Sequence, residues 1–243
     1  MVGRTEMQAS LDEIAGRIEV AAGKSGRRAE DVTLVAVSKF QPLAALYTAL
    51  DCGVKIFGEN RVQEREAKNA AWAPERRERA RWHMVGHLQR NKARKALELF
   101  DCIQSVDGFE LASALDRVLA ERAVGGVEPG RFPIFVEVNT SGEPSKNGVS
   151  PDGCVALVER IAAECPRLAV EGLMTIGPLT EDENSVRVSF SLLRELADRA
   201  RDLAGLRMSG LSMGMTGDYE IAIEEGSTLV RIGTGIFGAR TFA

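Results

Sequence analysis

Histidine is almost absent from this chain: His83 and His87 are the only two in 243 residues. Their i, i+4 spacing would suit one metal ion on a helix. The run around them, Trp82–Val85 followed by Gly86, reads as a strand and its end. Four residues of strand span about 13 Å, at about 3.3 Å each, so the pair cannot share a metal. His83 is expected as a core residue and His87 as a rim residue. Cysteine is sparse too. Cys52, Cys102, Cys154 and Cys165 are scattered without a C-x-x-C pair, which points to reduced, mostly buried thiols in a cytoplasmic protein. No metal site is expected. No apolar run reaches the roughly 18 residues that a membrane-spanning helix needs. Glu6, Asp12 and Glu13 interrupt the N-terminal segment, unlike a signal peptide. Excess positive charge is missing as well. The formal net charge of −4 gives no support to nucleic-acid or anionic-membrane binding.

What is present is an alternating pattern. With 44% hydrophobic and 27% charged residues, the composition is that of a folded globular chain. Apolar positions at Leu11, Ile14, Ala15, Ile18 and Ala22 recur with helical period in residues 5–23. Strands are then predicted over 32–37, 54–57, 82–85, 102–106, 132–138, 170–175, 208–211 and 228–232. Between them, helices are predicted over 42–50, 61–71, 91–99, 108–123, 151–164, 184–203 and 218–225, and a short terminal turn follows the last strand. The strands are continuously apolar, as parallel strands covered on both faces should be. Alternating strands and helices imply a parallel sheet. Eight such repeats are the count of a (β/α)8 TIM barrel, here one domain over 1–243 with an extra N-terminal helix. An open doubly wound sheet is the other architecture with this alternation. Residues 139–151 read as a long loop, and the Arg/Glu-rich 74–81 as a solvated helix end or loop.

Two glycine-rich turns follow the last two strands: Ser212-Met213-Gly214-Met215-Thr216-Gly217-Asp218 and Gly233-Thr234-Gly235-Ile236-Phe237-Gly238. Turns of this kind present several backbone N–H groups on one side and cradle anions, most often phosphate. The second also fits G-x-G-x-x-G, but the dinucleotide reading needs a further helix, strand and acidic residue about 20 positions on. Only five residues follow Gly238. Gly210-Leu211-Ser212-Met213-Gly214 fits the G-x-S-x-G nucleophile elbow, which needs a histidine later in the chain. Both histidines precede it. Phosphate binding by backbone survives.

Active sites of such barrels lie at the C-terminal strand ends. Those ends carry Ser38-Lys39, Glu59-Asn60, Gly86-His87, Ser105-Val106-Asp107, Glu137 with Asn139, Met174-Thr175, Ser212, and Arg231 with Gly233-Thr234. Asn60 and Ser105 could equally cap the helices that follow. A lysine at this mouth can form a Schiff base with an aldehyde once burial has lowered its pKa, or it can simply reach solvent. A phosphate-bearing aldehyde bonded to Lys39 suggests pyridoxal 5′-phosphate, although sugar phosphates also qualify. Arg231 precedes the cradle by two residues, so strand alternation puts it on the same face as Gly233. Against a pyridine nitrogen it would keep that nitrogen unprotonated and the ring a weak electron sink; otherwise it is a rim salt-bridge partner.

Val37-Ser38-Lys39, Phe57-Gly58-Glu59-Asn60-Arg61-Val62-Gln63-Glu64, residues 82–92, Leu211 to Asp218 and Val230 to Gly238 together resemble the pyridoxal phosphate homeostasis proteins. That family is similar to the barrel domain of alanine racemases without their second, β-rich domain. The resemblance implies that Lys39 carries pyridoxal phosphate as a Schiff base and that Ser212, Gly233 and Thr234 hold its phosphate. It places Arg231 at the pyridine nitrogen, and Asn60, Met174 and the neighbouring Met213 in the cofactor pocket. It also implies storage, buffering or delivery of the cofactor, with apoenzymes that use it as recipients, and no catalytic residues. A slow amino-acid racemase is the alternative. A Schiff-base sugar-phosphate lyase is a third. Racemisation needs a base on each face of the substrate carbon, and the racemases take the second from a tyrosine of a partner's additional domain. The lack of such a domain points to a non-enzyme and a monomer. Three positions depart from the family pattern: Arg61 stands for Tyr, His87 for Pro and Thr216 for Ser.

Overall fold

Strand order follows chain order all the way round: β1-β2-β3-β4-β5-β6-β7-β8 close into a parallel barrel. The computed structural model describes residues 3–122, 130–204, 206 and 208–238. The strands are β1 Thr33–Val37, β2 Ile56–Glu59, β3 Arg81–Met84, β4 Cys102–Val106, β5 Phe132–Glu137, β6 Leu168–Met174, β7 Gly210–Met215 and β8 Leu229–Ile232. Outside them run α1 Arg4–Lys24, α2 Leu43–Asp51, α3 Val62–Ala71, α4 Ala93–Leu99, α5 Phe109–Arg122, α6 Pro151–Glu164, α7 Glu183–Ala204, α8 Tyr219–Glu224 and α9 Thr234–Phe237. The expected end of the fifth barrel helix at Ala123 lies outside the described residues.

The core has two shells because a barrel strand is covered on both faces. Outward residues such as Met213, Ala36, Ile103 and Val230 join the helices' apolar stripes in one large cluster. Met7, Leu11, Ile14, Ile18, Ala21 and Ala22 bury one face of α1 in the same cluster, so the extra helix is an integral layer. Inside the barrel, Cys102, Phe135 and Met174 form a smaller apolar cluster. The interior also holds polar side chains, with Gln104, Ser212 and Arg231 all buried.

Strand β7 departs from expectation. It starts two residues later than predicted and runs on through Met215, so the glycine-rich Ser212–Met215 is strand and not turn. Its pairing with β8 shifts register between Ser212↔Leu229 and Met215↔Arg231. Gly214 absorbs the irregularity at φ +93, where a Cβ would also stand 2.6 Å from the Ala222 Cβ. The predicted terminal turn is one turn of helix, α9. Residues 74–79 form a 3₁₀ turn, and Arg81 opens β3.

Candidate functional site

Lys39 lies two residues beyond β1, on a turn held from below. The Ser38 N–H donates to Gly58 O at 2.9 Å, and the Ser38 hydroxyl donates to Glu59 Oε1 at 2.6 Å. The Lys68 ammonium, on α3, donates to Ser38 O at 2.7 Å, to Glu59 Oε1 at 2.5 Å and to Glu64 Oε1 at 2.9 Å. The next residue, Phe40, has φ +64, a left-handed conformation that a bulky side chain adopts at a cost. Its N–H donates to Glu64 Oε1. One buried ammonium therefore ties together the ends of β1 and β2 and the turn carrying Lys39. Burial holds the Glu59 carboxyl above its ordinary pKa despite Lys68 and Ser38.

The β8 end lies against β1: a Cβ on Gly233 would stand 3.3 Å from Val37 O. Gly233 turns the chain into α9, and the first N–H groups of a helix have no partner in its own ladder. The Thr234 hydroxyl donates across to the Thr216 hydroxyl at 3.2 Å. Asp218 holds the Thr216 turn by accepting from Met215 N–H through Oδ1, and burial raises its pKa. Two hydroxyls and two turns thus face each other across adjacent strand ends, a donor set suited to a phosphate.

Ser212, expected at the phosphate, stands apart from this pair of hydroxyls. Ser212 lies within β7, level with Leu229, and its fully buried hydroxyl is engaged inside the barrel. It donates to Gln104 Oε1 and accepts from Arg231, both at 2.6 Å. The hydroxyl that meets Thr234 belongs to Thr216, four residues on and within the first glycine-rich turn. Strand alternation sends the Met213 side chain outward into the helix-facing core. Met174 is fully buried with Cys102 and Phe135. Asn60 follows β2, half-buried; a Cβ on Gly86 would stand 2.5 Å from its carbonyl oxygen, so Gly86 fixes how close β3 approaches it. Ser105 caps no helix; its hydroxyl donates to Gly86 O at 2.6 Å. Exposed His87 pairs through Nδ1 with Asp107 at 3.1 Å.

Arg231 is no rim residue. It is 4% exposed, donates to Thr175 O at 2.7 Å as well as to Ser212, and burial lowers its pKa to about 10. Its charge is felt by Glu137, at the end of β5. That carboxyl is 4% exposed, its Oε2 has no hydrogen-bond partner, and its pKa is raised to about 7. Burial is the first cause and Asp107 the second, with Arg231 opposing. The sign follows. The native state keeps the Glu137 proton up to about pH 7, whereas the unfolded chain releases it near 4.5, so this carboxyl destabilises the fold as pH rises between those values. At about 1.4 kcal/mol per unit, the loss is on the order of 3 kcal/mol. Glu137→Gln is expected to flatten that segment of the stability–pH curve in denaturant titrations. Curves that stay parallel from pH 4.5 to 8 would exclude it.

A cavity of about 640 Å³ opens at the opposite, N-terminal end of the barrel, lined by Thr33, Ile56, His83, Cys102, Phe135 and Leu229 among others. Lys39 and the two glycine turns lie at the C-terminal end, where barrels of this type carry their chemistry. No cluster of metal-ligating side chains occurs among the described residues, and none of the described helices is long and apolar enough to cross a membrane.

Residues 10–241 match the family described as "Alanine racemase, N-terminal domain". The chain is 40% identical to the pyridoxal phosphate homeostasis protein of Pseudomonas aeruginosa, over 96% of this chain and 95% of that one. A crystal structure of an unknown protein from Bifidobacterium adolescentis superposes with a TM-score of 0.88 at 36% identity, covering 96% of this chain and 95% of that one. PipY of Synechococcus elongatus PCC7942, solved with PLP bound, superposes with a TM-score of 0.77 at 36% identity, covering 93% of this chain and all of PipY. Matched over nearly its whole length in sequence and in fold, the chain belongs to the pyridoxal phosphate homeostasis protein family, built on the alanine racemase barrel.

Proposed function

We propose that this protein binds pyridoxal 5′-phosphate at the C-terminal mouth, covalently through Lys39, and serves as a reservoir for the cofactor. The carrying observation is the convergence there of a lysine on a braced turn, a two-hydroxyl phosphate cradle and a buried arginine. The residues fit the group. Thr216, Gly233 and Thr234 would take the phosphate, Lys39 the aldehyde carbon, and Arg231 the ring nitrogen, with Asn60 beside the ring. When bound, the cofactor supplies an aldehyde and an electron-withdrawing ring. An arginine has only donors to offer, so it holds a ring nitrogen unprotonated and the ring a weak electron sink. That favours holding the cofactor over reacting amino acids on it.

The tyrosines support the same reading. Tyr47 packs at a tilt against Trp72 and its hydroxyl donates to Ala71 O. Tyr219 lies buried under the Arg17 guanidinium of α1. Neither stands at the mouth, where a racemase would need its second base. Delivery to apoenzymes, action as a monomer and residence in the cytoplasm belong to the same proposal.

The test is chemical. Protein incubated with pyridoxal phosphate and reduced with borohydride is expected to carry one pyridoxyl group, on the Lys39 peptide, and Lys39→Ala none. Incubation of the loaded protein with alanine in deuterated water is expected to leave the α-proton in place. A modified lysine elsewhere would refute the site, and Lys39-dependent exchange would establish the racemase reading instead.

A further inference from the structure

A chain of buried polar groups runs along the barrel axis from Arg231 to the N-terminal cavity. Arg231 donates to Ser212 Oγ at 2.6 Å, Ser212 donates to Gln104 Oε1 at 2.6 Å, and Gln104 Nε2 stands 2.7 Å from His83 Nδ1. Ser212 and Gln104 are wholly buried, and His83 lines the cavity at the far end. Each group's role is dictated by the one before it. A guanidinium has only donors, so Ser212 must accept from it. The single hydroxyl proton of Ser212 is then free for the Gln104 carbonyl oxygen. This turns the Gln104 amide so that its NH₂ faces His83, and Nδ1 of His83 must accept. The imidazole is therefore neutral, with its proton on Nε2. Burial agrees, lowering the His83 pKa to about 4. All the donors point the same way, the arrangement in which hydrogen bonds polarise and strengthen one another.

We propose that Ser212, Gln104 and His83 are positioning residues for Arg231, forming a one-directional relay that fixes the guanidinium beneath the cofactor and couples it to the N-terminal end of the barrel. This rests on the reading that Arg231 meets the ring of bound pyridoxal phosphate. A hydroxyl that donates to Gln104 is a stronger acceptor for Arg231 than one with a dangling proton. Breaking the relay at Gln104 weakens the hold on a group it does not touch.

With two histidines in the chain, ring nitrogen spectra by NMR read the relay directly, and His87→Asn assigns the signals. Protein without cofactor is expected to show His83 neutral at pH 7 with the proton on Nε2. A charged ring or a proton on Nδ1 overturns the relay. Loading with pyridoxal phosphate is expected to shift the His83 signals in wild type and leave them unmoved in Gln104→Met. The variant should also have a displaced absorption maximum for the bound cofactor and a dissociation constant raised about fivefold, the worth of one hydrogen bond. Ser212→Ala, cut closer to Arg231, should reproduce the spectral change and decides the matter if Gln104→Met does not fold. Wild-type spectrum and affinity in a folded variant overturn the relay alone. A wild-type protein that takes up no pyridoxal phosphate overturns the cofactor reading and the coupling together.

Discussion

Replacing Arg231 by methionine is expected to destabilise the protein by about 3 kcal/mol at pH 8 and by clearly less at pH 5.5. Two effects oppose one another. The substitution removes a buried cation whose desolvation is visible in its lowered pKa, and that relief is favourable. It also strips Thr175 O and Ser212 Oγ of a charged donor and Glu137 of the positive charge that opposes its protonation. The losses win because the partners stay behind: a buried pair replaced whole by apolar groups can be neutral, whereas removing one member leaves the other uncompensated. Glu137 supplies the pH dependence. At pH 5.5 it keeps its proton with or without Arg231. At pH 8 wild-type Glu137 is largely ionised, and without the arginine that charge has no compensation. The double variant Arg231→Met/Glu137→Gln should recover part of the loss at pH 8, a non-additivity expected of residues sharing one buried field. Equal denaturation midpoints for Arg231→Met and wild type at both pH values would remove Arg231 from the structural account.

Much of this arrangement is legible in the sequence. Strand β4 and helix α6 lie where the sequence puts them, at 102–106 and 151–164, because each is a clean apolar run or helical stripe between turn residues. Strand order alone puts Lys39, Gly233 and Thr234 at one mouth. What failed was one register. Reading β7 as ending at Leu211 treats Ser212 as a mouth residue, when the Gly214 irregularity carries the strand on to Met215. The hydroxyl that meets Thr234 is accordingly that of Thr216. A register shift at a glycine bulge leaves no periodic trace, because glycine has no side chain to mark a face. Gln104 was missed for another reason. In sequence it reads as part of the apolar strand Cys102–Val106, and its polarity is the available signal. A buried amide within such a strand requires partners, and its partners come from β3 and β7, at separations of 21 and 108 residues. No local pattern could have named them.

Lys68→Met is expected to cost about 3–5 kcal/mol, the range for stranding one member of a buried ion pair. The Lys68 side chain is 8% exposed and that of Glu59 is fully buried. Without Lys68, the Glu59 carboxylate keeps only the Ser38 hydroxyl, and Ser38 O loses its ammonium donor. Glu59, already held above its ordinary pKa by burial, is pushed further toward its neutral form. Function should suffer at the same place. The Ser38–Phe40 turn is strained at Phe40 and depends on Glu64 and Lys68 to hold it. Released, it leaves Lys39 sampling poses in which Nζ misses the aldehyde carbon. Misplacement by about 1 Å can cost about a hundredfold in rate, so attachment of pyridoxal phosphate, followed by absorbance after mixing, should slow at least tenfold. Glu59→Gln in the same chain removes the stranded charge and should restore most of the stability. It leaves Ser38 O without its donor, so attachment should remain slow. Recovery of stability and rate together would mean that the network only supports the fold; recovery of stability alone would mean that Lys68 also aims the lysine.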